Sequence, residues 1–238
     1  MTVDQDTLVE RIGQVRARIE LAARRAGRDP AEITLIAVSK TQSAETVVAA
    51  FRAGLRIFGE NRVEEAAPKA AAVAALLGHP PAGPQWHMIG HVQSRKAGQV
   101  LPWASMVHSV DSVKLAMRLS RHALAAGRAL PILLEVNVAG EASKYGFAPG
   151  ELPAAVEAIV GLPGLRLQGL MTMAPIVADP EAARPVFAGL RRLRDELAAH
   201  FPAVDWRHLS MGMTDDFEAA IVEGATIVRI GRAIFGER

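Results

Sequence analysis

The chain has 238 residues, half of them hydrophobic, with 27 Lys plus Arg against 25 Asp plus Glu and no cysteine. Lack of cysteine excludes a disulfide scaffold, Cys-ligated zinc, iron-sulfur clusters and a thiol nucleophile. The balanced, dispersed charge argues against nucleic acid, and no run reaches the ~18 apolar residues of a membrane span.

Apolar residues at Leu8, Ile12, Val15 and Ile19 have helical spacing from Asp4 to about Ala26, and Gly27 with Pro30 stops that helix. The run ITLIAVSK, Ile33 to Lys40, has the length and branched composition of a buried parallel strand. Ser43 and Glu45 open a helix through Ala53, Leu55 to Phe58 is a strand running into Gly59-Glu60-Asn61, and residues 62–77 form an Ala-rich helix. A Pro/Gly turn spans Gly78 to Pro84; Trp86 to Ile89 is the next strand, Ser94 to Gln99 a short helix, and Met106 to Ser109 a strand. Asp111 or Ser112 caps a helix through Ala126. Pro131 to Val138, Leu165 to Met171, Trp206 to Leu209 and Thr226 to Ile230 complete the strands. Helices over Pro149 to Val160, Asp179 to His200 and Thr214 to Glu223 separate them, and Gly231 to Phe235 is a terminal turn.

Eight strands alternating with helices, with no linker between them, predict a parallel sheet closed into a single (β/α)8 barrel, residues 1–238, preceded by an extra N-terminal helix. An open doubly wound sheet is the alternative, but no G-x-G-x-x-G follows the first strand. The charged, amphipathic start carries no targeting segment, so a cytoplasmic setting is expected.

In a barrel the chemistry gathers at the carboxyl ends of the strands. Lys40 ends the first, and only five of the 27 cations are lysines: Lys40, Lys69, Lys96, Lys114 and Lys144. A partly desolvated strand-end amine can attack an aldehyde; the plainer reading is a cation snorkelling toward water. The loops after the last two strands, Ser-Met-Gly-Met-Thr-Asp-Asp from Ser210 and Gly-Arg-Ala from Gly231, combine glycines, hydroxyls and helix starts. Such loops after strands 7 and 8 are the usual phosphate position of this fold. First and eighth strands are neighbours in a closed barrel. One ligand bearing both an aldehyde and a phosphate would therefore satisfy all these groups, and pyridoxal 5'-phosphate is such a ligand.

The ordered segments ITLIAVSKTQ, FGENRVEEA, WHMIGHVQSRK, VHSVDS, LEVNVAGEASKYGF, LQGLMTM, LSMGMTDDFEAAI and VRIGRAIFGER, from Ile33 to Arg238, closely resemble the pyridoxal phosphate homeostasis proteins. These are relatives of the barrel half of alanine racemase, the type III fold of pyridoxal phosphate proteins. The resemblance implies that Lys40 forms the Schiff base. It implies that Asn61, His87, Ser210, Thr214, Arg229, Gly231 and Arg232 surround the cofactor, with Ser210, Gly231 and the amide of Arg232 on its phosphate. Arg229 would face either the phosphate or the pyridine edge. Near the ring nitrogen it would keep that nitrogen unprotonated and make the ring a poorer electron sink. Arg232 stands where the family often has threonine, so either its amide or an ion pair is the contact there.

The implied function is cofactor binding for buffering or delivery to apoenzymes, by a monomer without strong catalytic activity. The alternative is a pyridoxal phosphate-dependent racemase, which would need a second base, and the single tyrosine, Tyr145, is the candidate. A barrel acting on a phosphorylated metabolite through a transient Lys40 Schiff base is a third possibility. His87, His91, His108 and His208 lie near strand ends but lack the spacing of a metal site, so no metal is expected. Lys144, the rival amine, sits in a polar loop where water would keep it protonated. Glu60, Asp215 and Asp216 are possible acids or bases, though the two aspartates suit the start of their helix. Glu135 and Asn137 alternate on the fifth strand as one polar layer.

Overall fold

In the computed structural model, residues 5–79, 82–141 and 143–237 are described. Asp4, Pro80, Pro81, Ala142 and Arg238, which fall within the predicted helix, turn and motifs, lie outside them. Helix α1 (Gln5–Arg25) buries Leu8, Ile12, Val15 and Ile19. The strands β1 (Thr34–Val38), β2 (Ile57–Glu60), β3 (Gln85–Met88), β4 (Met106–Val110), β5 (Leu130–Glu135), β6 (Leu165–Met171), β7 (His208–Ser210) and β8 (Ile227–Ile230) form a closed parallel barrel in chain order. Between them run α2 (Ala44–Arg52), α3 (Val63–Leu76), α4 (Ala97–Val100), α5 (Val113–Ala125), α6 (Leu152–Val160), α7 (Arg184–His200) and α8 (Phe217–Val222); α9 (Arg232–Phe235) follows β8.

Local chemistry explains the boundaries. Ser43 caps α2 by accepting from the amide of Thr46, and Ser112, not Asp111, caps α5 by accepting from Leu115. The predicted helix from Asp179 begins as a 3-10 turn over Pro180–Ala183 before α7. The terminal turn is one turn of α-helix, with Gly231 at its N-cap. β1 stops at Val38, two residues before the predicted end: the Ser39 amide makes the last ladder bond, to the Gly59 carbonyl of β2, and the Ser39 carbonyl then receives the amide of Gln42, which turns the chain out of the ladder. Lys40 therefore stands in the turn after β1.

Closure comes from β1 pairing with β8, in the register Thr34 with Ile227 through Ala37 with Ile230. Inside the barrel, Ile36, Met106, Leu133, Met171 and Ile227 form an apolar cluster. Strand side chains alternate faces, so the residues two positions further along β4, β5 and β8 face inward above that cluster. These are His108, Glu135 and Arg229, all buried. The barrel thus has an apolar floor and a polar layer over it, on the side where the strands end. A larger apolar core fills the space between sheet and helices, with Phe58, Phe187 and Phe217 fully buried in it. No helix among the described residues is long and apolar enough to cross a membrane.

Strands β6 and β7 approach at Gly169, whose φ is 143° and where a Cβ would stand 1.9 Å from the carbonyl oxygen of His208. Gly169→Ala should cost roughly 2–4 kcal/mol of stability, from backbone strain plus a backbone clash that no rotamer relieves. A urea midpoint equal to that of the wild type would show that this approach is not constrained.

Candidate functional site

At the rim, the two chain segments picked out by the sequence meet across the β1–β8 closure. A Cβ on Gly231 would lie 3.3 Å from both Cβ and carbonyl oxygen of Val38. The N-terminus of α9 is therefore packed against the last residue of β1, two residues before Lys40, which is half-buried. As at any helix start, the first amides of α9 lack acceptors within the helix.

The loop from β7 to α8 lies on the other side of β8. Gly212 has φ 90°, and a Cβ there would meet Ala220 Cβ at 2.6 Å and Phe217 Cα at 2.9 Å, so this position accepts only glycine without rearrangement. The Gly212 carbonyl receives the amide of Arg229, which ties the loop to β8. Asp216 Oδ1 accepts from the Met213 amide at 2.6 Å, stabilising the loop just before α8. Thr214 is half-buried. Arg232 is exposed and its guanidinium pairs with Asp215.

Below the rim is a hydrogen-bonded polar chain. Arg229, 4% exposed, donates through Nη1 to Ser210 Oγ at 2.6 Å and through Nη2 to the Thr172 carbonyl at 2.9 Å. Ser210 Oγ also lies 2.9 Å from His108 Nδ1, and His108 Nε2 lies 2.9 Å from His87 Nδ1. Burial holds His87 down at about 3 and drives His108 well below the ordinary imidazole range, so both rings are neutral. Arginine can only donate, so Ser210 must accept from it. Ser210 is fully buried, with its hydroxyl engaged by Arg229 and His108. Of the two loop hydroxyls, Thr214 is the one nearer solvent. His87 likewise belongs to the interior chain rather than to the rim.

Burial lowers Arg229 to about 10, with the Glu135 and Asp216 carboxylates opposing that shift. Glu135 is pushed up to about 7, first by burial and then by Asp111, against the pull of Arg229 and Lys144. Its Oε2 has no hydrogen-bond partner, and neither has Oδ1 of Asn61, which follows β2. Asn137 is not part of this layer: its amide bridges to the backbone of Glu141.

The turn holding Lys40 is gripped from α3. Lys69 Nζ donates to the Ser39 carbonyl at 2.7 Å, to Glu60 Oε1 at 2.8 Å and to Glu65 Oε1 at 2.8 Å. Ser39 Oγ donates to Glu60 Oε1 at 2.7 Å, and the Thr41 amide donates to Glu65 Oε1. Glu60 Oε1 thus serves both Lys69 and Ser39, while its Oε2 is buried without a partner. Sequence reasoning passed over Lys69 and Glu65; their spacing of four on one helix was the available signal.

Opposite, His91 Nδ1 lies 2.8 Å from Asp111 Oδ2 and its ring stacks on Tyr145 with centroids 3.7 Å apart. With Lys144, Ser94 and Ser112 they line a cleft of about 420 Å³ at the ends of β3, β4 and β5. No group of three or more His, Cys, Asp or Glu suited to a metal ion occurs among the described residues.

Residues 11–238 match the family model described as alanine racemase, N-terminal domain. The pyridoxal phosphate homeostasis protein of Pseudomonas aeruginosa is 49% identical over 232 residues, covering 98% of this chain and 96% of that one. Among solved structures, an unknown protein from Bifidobacterium adolescentis superposes with a TM-score of 0.90 at 40% identity, covering 97% and 95% of the two chains. PipY of Synechococcus elongatus PCC7942, with PLP bound, gives 0.82 at 34% identity, covering 96% and 100%.

The raised Glu135 sets a pH dependence. The folded protein keeps this proton up to about 7, whereas the unfolded chain releases it near the ordinary value of 4.5. The native state binds more protons across that window, so stability falls as pH rises through it. Glu135→Gln removes the ionisation. Its stability relative to wild type should improve by up to about 3 kcal/mol between roughly pH 4.5 and 8, measured by urea unfolding. An unchanging difference would mean that ionisation of Glu135 is not resisted.

Proposed function

The chain belongs to the pyridoxal phosphate homeostasis proteins, built on the alanine racemase N-terminal barrel, and from that premise we propose that it binds pyridoxal 5'-phosphate covalently at Lys40 for buffering or delivery. The observation that carries this reading is the packing of Gly231 against Val38, which sets the lysine turn and the phosphate-type loops side by side on one rim.

The side chains present fit such a ligand. Asn61 offers a buried acceptor without a partner, and Arg229 supplies a fixed cation beneath the mouth. Thr214, with the amides at Gly231 and Arg232, forms the anion cradle. Ser210, His108 and His87 act indirectly, by holding the Arg229 guanidinium in place. When bound, the cofactor would supply an aldehyde able to condense with a primary amine with loss of water. Lys40 would supply that amine from its half-buried position in the turn after β1.

Arg229 also accounts for a binding role rather than strong catalysis. A buried guanidinium disfavours a proton on any neighbouring heteroaromatic nitrogen, which weakens carbanion stabilisation. Tyr145, the candidate second base of a racemase, is exposed and stacked on His91. In this reading the monomer binds the cofactor, and recipient apoenzymes in a reducing cytoplasm are the sinks for its release.

Visible absorbance of the cofactor-loaded protein should be lost in Lys40→Ala with the fold retained by circular dichroism. Borohydride reduction followed by peptide mapping should place the adduct on Lys40. An adduct on Lys144, or an undiminished band in the variant, would overturn the assignment. Incubation with single amino acid enantiomers in deuterated water should give no Cα exchange beyond that of free cofactor; faster exchange would establish an enzyme.

A further inference from the structure

We infer that Glu65 and Lys69 are positioning residues for Lys40, forming with Glu60 a clamp that fixes the backbone on both sides of the reactive lysine. The inference rests on Lys40 being the attachment point, and deepens that reading.

Three observations carry it. First, the ammonium of Lys69 has three N–H donors and the structure gives it three acceptors, from β2, from α3 and from the carbonyl of Ser39, the residue before Lys40. Its side chain is 7% exposed and that of Glu60 is fully buried. Second, the same carboxylate oxygen of Glu65 that meets Lys69 also receives the amide of Thr41, the residue after Lys40. Glu60 Oε1 does the same for the Ser39 hydroxyl. Third, Thr41 has φ 66°, a left-handed conformation that a β-branched residue adopts only when its surroundings over-determine it.

A buried ionic cluster is a poor source of stability, since apolar residues of similar volume often do as well. What this one supplies is geometry. With residues 39 and 41 pinned, the Cα–Cβ direction of Lys40 is set, and its long side chain sweeps a restricted arc. Reaction with a ligand held by the β7 and β8 loops then gains from orientation, and a misplacement of about 1 Å can cost up to a hundredfold. Glu65 is the member to vary first because it lies in the first turn of α3 and is about a quarter exposed, so its replacement leaves the core intact.

The test uses full-length protein stripped of cofactor and mixed with pyridoxal 5'-phosphate. Attachment at Lys40 is followed by visible absorbance and by cyanoborohydride-trapped peptide, alongside the thermal midpoint and the exchange rate of the Thr41 amide. Glu65→Ala should attach at least about tenfold more slowly and lose protection at Thr41. Glu65→Gln, which keeps the oxygen acceptor but not the charge, should lower the midpoint similarly yet remain within about threefold of the wild-type rate. Lys69→Met, an apolar replacement of similar length, should also slow attachment. Wild-type rates in both Glu65→Ala and Lys69→Met, or slowing in all three variants that merely follows the midpoint, would reduce the cluster to a stabilising role. A wild-type protein that takes up cofactor elsewhere or not at all would sink the proposed function instead; the clamp would then stand or fall on Thr41 exchange, unchanged protection in Glu65→Ala overturning it.

Discussion

The pairing of β1 with β8 is the constraint on which the site depends. A parallel sheet of eight strands leaves two edges of unpaired backbone, and closure removes both. The register of that seam, Ala37 against Ile230, has a chemical result as well as a structural one. It brings the exit of the first strand against Gly231 at the exit of the last, so the turn holding Lys40 and a set of helix-start amides share one rim although 191 residues separate positions 40 and 231. Either segment alone is a common turn.

Beneath the rim, the alternation of strand side chains builds a second layer. Met106, Leu133 and Ile227 face the barrel axis, so His108, Glu135 and Arg229 must face it too, one pleat nearer the mouth. A cation in such a place needs partners, and Arg229 obtains them from Ser210 and the Thr172 carbonyl, with Glu135 and Asp216 supplying opposite charge. The neutral histidines extend the network without adding charge. The result is a polar layer with a buried, hydrogen-bonded cation above the apolar floor.

The turn after β1 shows how a helix can serve a strand end. α3 follows β2, and its first two turns lay Glu65 and Lys69 against the backbone leaving β1. Glu60 at the end of β2 completes the grip. Oε1 of Glu60 and Oε1 of Glu65 each serve two donors, while Glu60 Oε2 stays buried without a partner, so the cluster fixes geometry rather than adding stability.

The eight alternating elements, Lys40 after the first strand and the glycine loops after the last two were legible in the sequence, because hydrophobic period, chain breakers and loop chemistry are local properties. The surroundings of Ser210 and Lys69 were not. A hydroxyl at a strand end reads as a rim donor, yet the phase of the pleat turns Ser210 inward to Arg229. A Glu and a Lys four apart on a helix read as a surface pair, yet the β1–β2 pairing lays Ser39 and Glu60 over them and buries the lysine. The chain's own order thus determined which elements form and which chemistry they carry. Only the closed barrel decided which side chains face the axis and which charges lose their water, because strand phase and burial are set by neighbours remote in sequence.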